Sequence, residues 1–256
     1  MTGTLILVRH GQSLWNKDNL FCGWVDIKLS ETGREQARHS SRLISESGYV
    51  QPDVCFTSRL SRAIETANII LEEMDVQYVD VFKTWRLNER HYGKLQGESK
   101  GHILETYGEE KYQFWRRAYD GCPPLSEKGD KYYSIDDRRY LDTPESELPR
   151  GESLRMTLQR LLPFYTSEVD PRLKKDQTVL IVTHGSIVRA LVKYLYEISD
   201  EAISKVNIPN GIPIAIKLDA DLKPLTSEFE YLDPERAKIE AAKVARQGYE
   251  TNSNTK

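Results

Sequence analysis

The chain is organised around the sequence LVRHGQS at residues 7–13. Residues 4–8 form a short, β-branched and apolar run, which predicts a buried strand that is followed by Arg9 and His10 and turns at Gly11. In open α/β sheets, ligands bind at the carboxyl edge of the strands. The sequence therefore predicts that Arg9 and His10 lie at a ligand-binding edge.

A second strand ends in the same way far along the chain. Residues 178–182 are apolar, and Thr183, His184, Gly185 and Ser186 follow before a helical pattern begins. A single histidine at a strand end is commonly structural. Two such endings in one chain favour two imidazoles that meet over one site.

Composition limits the class of protein. A length of 256 residues without a long linker predicts one domain over residues 1–250 and a mobile tail at 251–256. A net charge of −3 gives no reason to expect nucleic acid or a membrane surface as a partner. No secretory signal is visible, and the three cysteines and five histidines show neither disulfide nor metal spacing. We therefore expect a cytoplasmic protein without a bound metal.

Apolar periodicity predicts strands that alternate with helices, which is typical of an α/β fold with a mostly parallel sheet. The predicted strands are 4–8, 53–56, 79–82, 178–182 and 212–218. The predicted helices are 31–47, 60–74, 101–119, 151–162, 187–195 and 233–248, with the fourth ending before Pro163. Residues 120–149 are rich in Pro, Gly, Asp and Tyr and predict a long loop, a feature that is commonly functional.

A histidine at a sheet edge can act as a nucleophile toward phosphorus. The resulting phosphohistidine divides one phosphoryl transfer into two easier steps. Cationic donors must stabilise the moving phosphoryl group, and Arg9, Arg62 and His184 are suitable. An acid must also protonate the leaving oxygen, and Glu89 is the best candidate in the sequence.

Four charged residues also have a structural alternative. Arg62 falls in the first turn of a predicted helix, where it is either a solvated cation or an anion-binding group beside the helix N-terminus. Glu89 lies in a cluster of arginines, as a structural ion pair or as a proton donor. The adjacent Arg116 and Arg117 point about a third of a turn apart on a helix, which favours a surface role.

Longer motifs resemble one family. The Arg9-His10-Gly11 sequence with the distant His184-Gly185 resembles the histidine phosphatase superfamily. Nearly the whole chain, from Thr4 to about Gly248, resembles the cofactor-dependent phosphoglycerate mutases. The motifs that carry this resemblance are LVRHGQSLWN at 7–16, FCGWVDIKLSETG at 21–33, TSRLSRAIETA at 57–67, WRLNERHYGKLQG at 85–97, FWRRAYD at 114–120 and NIPNGIPI at 207–214.

The resemblance implies an isomerase of glycolysis and gluconeogenesis that interconverts 3-phosphoglycerate and 2-phosphoglycerate, primed by 2,3-bisphosphoglycerate and without a metal. His10 would be the phosphorylated nucleophile and Glu89 the proton donor and acceptor. His184, Arg9 and Arg62 would stabilise the phosphoryl group. The remaining residues would bind these small phosphorylated three-carbon acids: Ser13, Asn16, Cys22, Gly23, Tyr92, Lys100, Arg116, Arg117, Gly185 and Ser186.

The family fold implies a single domain with helices on both faces of a mainly parallel sheet, in a homodimer or homotetramer. The region after Leu232 would help to close the site. Two features depart from the family: Ser186 replaces the usual asparagine, and the loop at 120–149 matches only loosely. Losing one hydrogen bond to a charged group costs about 1.5–3 kcal/mol. Two alternatives therefore remain, a bisphosphoglycerate synthase or phosphatase on the same scaffold, and a weakly active paralogue that binds phosphorylated metabolites or a protein partner.

Overall fold

The structure is a computed structural model that describes residues 3–49 and 51–249. The predicted tail at 251–256 lies outside the described residues. Within them, five strands form one sheet in the order β3-β2-β4-β1-β5. The strands are β1 (Thr4–Arg9), β2 (Val54–Thr57), β3 (Val81–Lys83), β4 (Thr178–Thr183) and β5 (Ile214–Lys217). β5 runs antiparallel to β1 and the other pairings are parallel, so the predicted mainly parallel sheet is confirmed.

The helices alternate with the strands as predicted. They are α1 (Leu14–Lys17), α2 (Glu31–Glu46), α3 (Ser61–Glu73), α4 (Lys100–Arg117), α5 (Leu154–Phe164), α6 (Asp170–Leu173), α7 (Gly185–Leu195), α8 (Asp200–Ile203) and α9 (Pro234–Arg246). Alternate side chains of a strand face opposite sides of the sheet. Leu5 and Leu7 of β1 pack in a core with α5 and α7, whereas Ile6 and Val8 pack in a core with α2 and α3. Helices therefore cover both faces.

The register of β1 and β4 brings the two histidine turns together. Arg9 lies opposite Thr183, so His10 and His184 are the next residues along two adjacent parallel strands. All six residues of β4 are buried, because this strand lies at the centre of the sheet with helices on both sides. The two histidine turns predicted from the sequence therefore lie side by side at one edge of the sheet.

The prediction that the fourth long helix ends before Pro163 is wrong. Pro163 lies inside α5, and a π-helical turn at Tyr165–Val169 carries the chain directly into α6. Proline lacks the N–H that a regular helix needs, so it carries a cost inside α5. Phe164, Tyr165 and Val169 are buried in the core, so tertiary packing outweighs the local preference.

The predicted loop at 120–149 contains two single 3₁₀ turns, Arg138–Tyr140 and Glu145–Glu147, as its regular structure. Its Tyr140 packs against Trp24 with ring centroids 4.8 Å apart. The loop is therefore anchored to the body of the domain. No helix in the described part of the chain is both long and apolar enough to cross a membrane.

Candidate active site

The two predicted histidines meet at the sheet edge. The backbone N–H of His10 donates to the carbonyl of Thr183 over 2.8 Å, which continues the β1–β4 ladder by one residue. The imidazole centroids of His10 and His184 lie 4.9 Å apart at an interplanar angle of 65°. Both side chains are almost fully buried. The expectation that two imidazoles meet over one site is therefore confirmed.

Neighbouring groups define the state of His10. Its Nδ1 lies 2.6 Å from the carbonyl oxygen of Gly11. A carbonyl only accepts hydrogen bonds, so Nδ1 carries the proton and Nε2 carries the lone pair. Burial, Arg62 and Arg9 hold the pKa of His10 well below its ordinary value. The imidazole is therefore neutral at neutral pH, as a nucleophile must be.

The state of His184 depends on Ser58. The Ser58 hydroxyl accepts the N–H of Leu60 over 3.1 Å and lies 2.8 Å from Nε2 of His184. In the tautomer that carries its proton on Nδ1, this Nε2 accepts a hydrogen bond from the Ser58 hydroxyl. That Nδ1 is buried and without a partner among the described residues. Burial and Arg62 lower the pKa of His184, which makes it a neutral donor.

Arg62 is fully buried, which rules out the solvated alternative. Its Nε donates toward Nε2 of His10 over 3.2 Å, and its two terminal nitrogens donate to the carbonyls of Val25 and Gly23 over 2.9 and 2.7 Å. Gly23 has a φ of +51°, and a Cβ there would lie 2.1 Å from Oε1 of Gln96. A side chain at this position would therefore strain the backbone and press on Gln96.

Glu89 follows a 3₁₀ turn at Trp85–Leu87. Its Oε1 accepts the backbone N–H of Arg90 over 2.8 Å and that of Ser186 over 3.2 Å. Ser186 is in the first turn of α7, where the helix dipole favours a negative charge. Both donors are backbone N–H groups, and within the described part of the chain Glu89 does not form the arginine ion pair that was one of its two alternatives.

One pocket gathers most of the predicted site. The predicted residues that line it are Arg9, Asn16, Cys22, Gly23, Glu89, Tyr92, Lys100, Arg116, Arg117, Gly185 and Ser186. His10, Arg62 and His184 are buried next to these residues and are not part of the lining. Ser13 is not brought to the pocket wall either. Its hydroxyl caps α1 by accepting the N–H of Asn16 over 3.1 Å and lies 3.7 Å from the sulfur of Cys22.

The pocket is strongly cationic. Arg116 is buried rather than on the surface, and burial lowers its pKa. Burial and Arg116 lower the pKa of Arg117 in turn. Burial and Arg116 also lower the pKa of Lys100 to about 7. Cations crowded in this way, beside one carboxylate at Glu89, suit a multiply charged anion.

The end of α9 covers this pocket. The carbonyl of Val244 accepts from Nη2 of Arg116 over 2.6 Å and from Nη2 of Arg117 over 3.2 Å. Oε1 of Gln247 accepts from Nζ of Lys100 over 2.9 Å and from Arg116 over 3.1 Å. The C-terminal region thus lies against the pocket, as the family resemblance implied.

Several lining residues were not predicted: Leu20, Phe21, Arg189, Ile208, Val244 and Gln247. Arg189 had a usable signal, since it follows Gly185 by four residues on a helix and so shares its face. Val244 and Gln247 lie in the region after Leu232 that the resemblance assigned to closure of the site, but nothing in that charged stretch singles out these two residues. In residues 3–49 and 51–249, no cluster of three or more His, Cys, Asp or Glu side chains could hold a metal ion.

Comparison with known proteins agrees with this geometry. The family model of the histidine phosphatase superfamily (branch 1) matches residues 5–140 and 126–226. A phosphoglycerate mutase from Candida albicans is 52% identical over 95% of this chain and 98% of its own length. A 2,3-bisphosphoglycerate-dependent phosphoglycerate mutase from Corynebacterium jeikeium is 48% identical over 96% of both chains.

Solved structures show the same fold at lower identity. A mycobacterial glucosyl-3-phosphoglycerate phosphatase superposes with a TM-score of 0.64 at 23% identity, over 90% of this chain and 96% of its own. The alpha-ribazole phosphatase from Shigella flexneri gives a TM-score of 0.63 at 23% identity, over 87% and 94%. The chain therefore belongs to the histidine phosphatase superfamily and, within it, to the 2,3-bisphosphoglycerate-dependent phosphoglycerate mutases.

Proposed function

We propose that this protein interconverts 3-phosphoglycerate and 2-phosphoglycerate through a phosphohistidine at His10. The observation that carries the proposal is the neutral Nε2 of His10, which has Arg62 at 3.2 Å and lies beside a cationic pocket that also holds Glu89. This combination supplies a nucleophile, charge stabilisation and an acid in one place.

In the first half-reaction, Nε2 of His10 attacks the phosphorus on the 3-oxygen of 2,3-bisphosphoglycerate, an N–P bond forms, and the P–O bond to that oxygen breaks, which leaves 2-phosphoglycerate. Arg62, Arg9 and Nδ1–H of His184 stabilise the negative charge on the moving phosphoryl group. Glu89 gives a proton to the leaving oxygen. In the second half-reaction the 2-hydroxyl of 3-phosphoglycerate attacks phosphorus, the N–P bond breaks, Glu89 accepts the hydroxyl proton, and 2,3-bisphosphoglycerate is formed again.

The residues present fit 2,3-bisphosphoglycerate as the primer, which supplies the phosphoryl group that first loads His10. Nε of Arg9 and Nη1 of Arg116 are buried without a partner in the described part of the chain. Buried donors of this kind require an acceptor. Together with Lys100 and Arg117 they would hold two phosphates and a carboxylate.

We further propose that the protein works in the cytoplasm as a homodimer or homotetramer, without a metal ion and without nucleic acid or membrane as a partner. The family resemblance supports the assembly and the metal independence, and the net charge of −3 supports the absence of polyanionic partners. Light scattering after gel filtration tests the oligomeric state. An activity assay in the presence of a chelator tests the metal independence.

The deciding experiment is a coupled assay of 2-phosphoglycerate formation from 3-phosphoglycerate, with and without added 2,3-bisphosphoglycerate. We expect turnover that depends on the bisphosphate and makes Ser186 a tolerated variation. Folded protein without turnover would contradict the proposal. Phosphate release from 2,3-bisphosphoglycerate in the same sample would then support a phosphatase, and no release would support the weakly active paralogue.

A further inference from the structure

We propose that the buried ion pair of Glu152 and Arg160 positions the proton donor Glu89. The inference rests on the proposed function, since it assigns a role in the same reaction. Neither residue lines the pocket. Both act through the backbone that carries Glu89, so they are positioning residues rather than catalytic ones.

The pair is buried and bidentate. The side chains of Arg160 and Glu152 are 8% and 2% exposed. Nε of Arg160 donates to Oε1 of Glu152 over 2.6 Å, and its Nη2 donates to Oε2 over 3.1 Å. Glu152 lies just before the N-terminus of α5 and Arg160 two turns along it, so the pair is attached to a rigid element.

Every remaining hydrogen bond of the guanidinium goes to the segment that ends at Glu89. Nη1 of Arg160 donates to the carbonyl of Arg86 over 2.6 Å. The same Nη1 donates to the carbonyl of Trp85 over 3.4 Å, and Nη2 donates to the carbonyls of Asn88 and Glu89 over 2.8 and 3.0 Å. These four carbonyls belong to a stretch whose regular structure is one 3₁₀ turn. Its position therefore depends on these bonds.

Glu152 holds the segment on the other side of Glu89. Its Oε2 accepts the backbone N–H of His91 over 2.8 Å, and its own backbone N–H donates to the carbonyl of His91 over 2.8 Å. Nε1 of Trp24 donates to the Glu89 carbonyl over 2.6 Å, next to the guanidinium, which lies 5.6 Å from the Trp24 ring centroid. The backbone is thus fixed both before and after the acid.

This arrangement has a distinctive chemical consequence. A displacement of about 1 Å in a catalytic group can cost about 100-fold in rate. A displacement of Glu89 would lower the rate only for substrates whose leaving oxygen needs a proton. The alkoxide of a phosphoglycerate needs one, whereas the nitrophenolate of p-nitrophenyl phosphate departs without it. Loss of the ion pair should therefore affect the two substrates unequally.

The test is Arg160→Lys, which keeps the charge and removes the forked donor geometry. We expect kcat for the mutase reaction to fall about 100-fold, with KM for 3-phosphoglycerate within about 3-fold of wild type. The initial burst of nitrophenolate from p-nitrophenyl phosphate should stay within about 3-fold. Glu89→Gln should show the same pattern. Arg155→Lys on the same helix, in an exposed ion pair with Asp120, is the matched control and should leave both rates unchanged.

Equal losses on the two substrates, or a raised KM with kcat intact, would overturn the positioning role. Thermal unfolding shows whether Arg160→Lys is folded, and Glu152→Gln provides a second variant with the same expected ratio. Wild-type protein that fails to interconvert phosphoglycerates contradicts the proposed function instead. The positioning role is then measured with glycerol 3-phosphate as the alkyl substrate against p-nitrophenyl phosphate.

Discussion

The histidines beneath the pocket and the helix end that covers it are held by different kinds of bond. Beneath the pocket, His10 is hydrogen-bonded to the Gly11 carbonyl and His184 is hydrogen-bonded to Ser58. Neither imidazole therefore depends on a ligand for its orientation. Above, Val244 and Gln247 are bonded to the cationic side chains of α4. We call the first region the floor and the second, the end of α9, the cover.

The difference separates chemistry from binding. The floor is arranged in advance, which lowers the reorganisation needed during the reaction. The cover occupies Lys100 and Arg116, the same donors that an anionic substrate requires. The substrate must therefore displace these contacts or be enclosed together with them. Four variants, in order of decreasing expected effect, test this contrast.

The largest effect is expected in the floor. His10→Ala removes the nucleophile, and we expect turnover to fall by roughly 10⁴-fold or more. Acid-labile phosphate on the enzyme, measured after incubation with labelled 2,3-bisphosphoglycerate, should disappear at the same time. His102→Ala, an exposed histidine on α4, is the control and should retain both signals. Normal turnover in the His10 variant would contradict the assignment of the nucleophile.

A smaller effect is expected from Ser58→Ala, which leaves Nε2 of His184 without its donor. An unsatisfied buried polar group costs about 1–3 kcal/mol. We expect kcat to fall about 10-fold to 100-fold while KM changes little, because the floor acts on the moving phosphoryl group. Ser126→Ala removes a buried hydroxyl that bonds the Arg150 carbonyl and serves as the control. An effect confined to KM would show that Ser58 belongs to binding.

Lys100 gives a pH-dependent test of the binding side. Its pKa is lowered to about 7, so the ammonium is charged below that pH and neutral above it. Affinity for an anion should therefore weaken as the pH rises through 7. Lys100→Arg stays charged throughout. We expect kcat/KM to decrease about 10-fold more in the wild type than in this variant between pH 6 and pH 8.5.

The substrate ionises in the same way in both assays, so the difference between the pH profiles of the wild type and Lys100→Arg reports the enzyme alone. Lys94→Arg changes an exposed lysine paired with Glu127 and should leave the pH profile unaltered. Superimposable profiles for the wild type and Lys100→Arg would show that the ammonium does not titrate in this range.

The smallest effect is expected at the cover. Gln247→Ala removes the side-chain acceptor that bonds Lys100 and Arg116. We expect KM for 3-phosphoglycerate to fall by about 3-fold, because a competing contact of less than about 1 kcal/mol is lost. Lys243→Ala, on the same helix and paired with Glu240, is the control. A loss of kcat in the Gln247 variant would mean that the cover takes part in the reaction.

Sequence patterns predicted the floor better than its supports. His10 and His184 each follow an apolar run, and strand ends meet at one edge, so local patterns were sufficient. Pro163 was misjudged because core packing outweighs its cost in α5. The role of Glu152 and Arg160 could not be predicted, because a buried ion pair has the same sequence pattern as an ion pair on a helix surface. Ser13 was assigned to substrate through the family motif, whereas in the fold its hydroxyl caps α1.

The strand order also has a consequence for synthesis on the ribosome. β1 pairs with β4 and β5. In the sheet, β4 lies between β1 and β2, although β4 follows β2 by more than a hundred residues of chain. A nascent chain that has emerged only as far as α5 therefore contains β1 without either of its neighbours. Such non-local pairing is slow and leaves strand edges exposed to chaperones or aggregation. A nascent chain that ends before His184 contains only one of the two imidazoles. Catalytic competence can therefore arise only late in synthesis, after the central strand β4 has been inserted into the sheet.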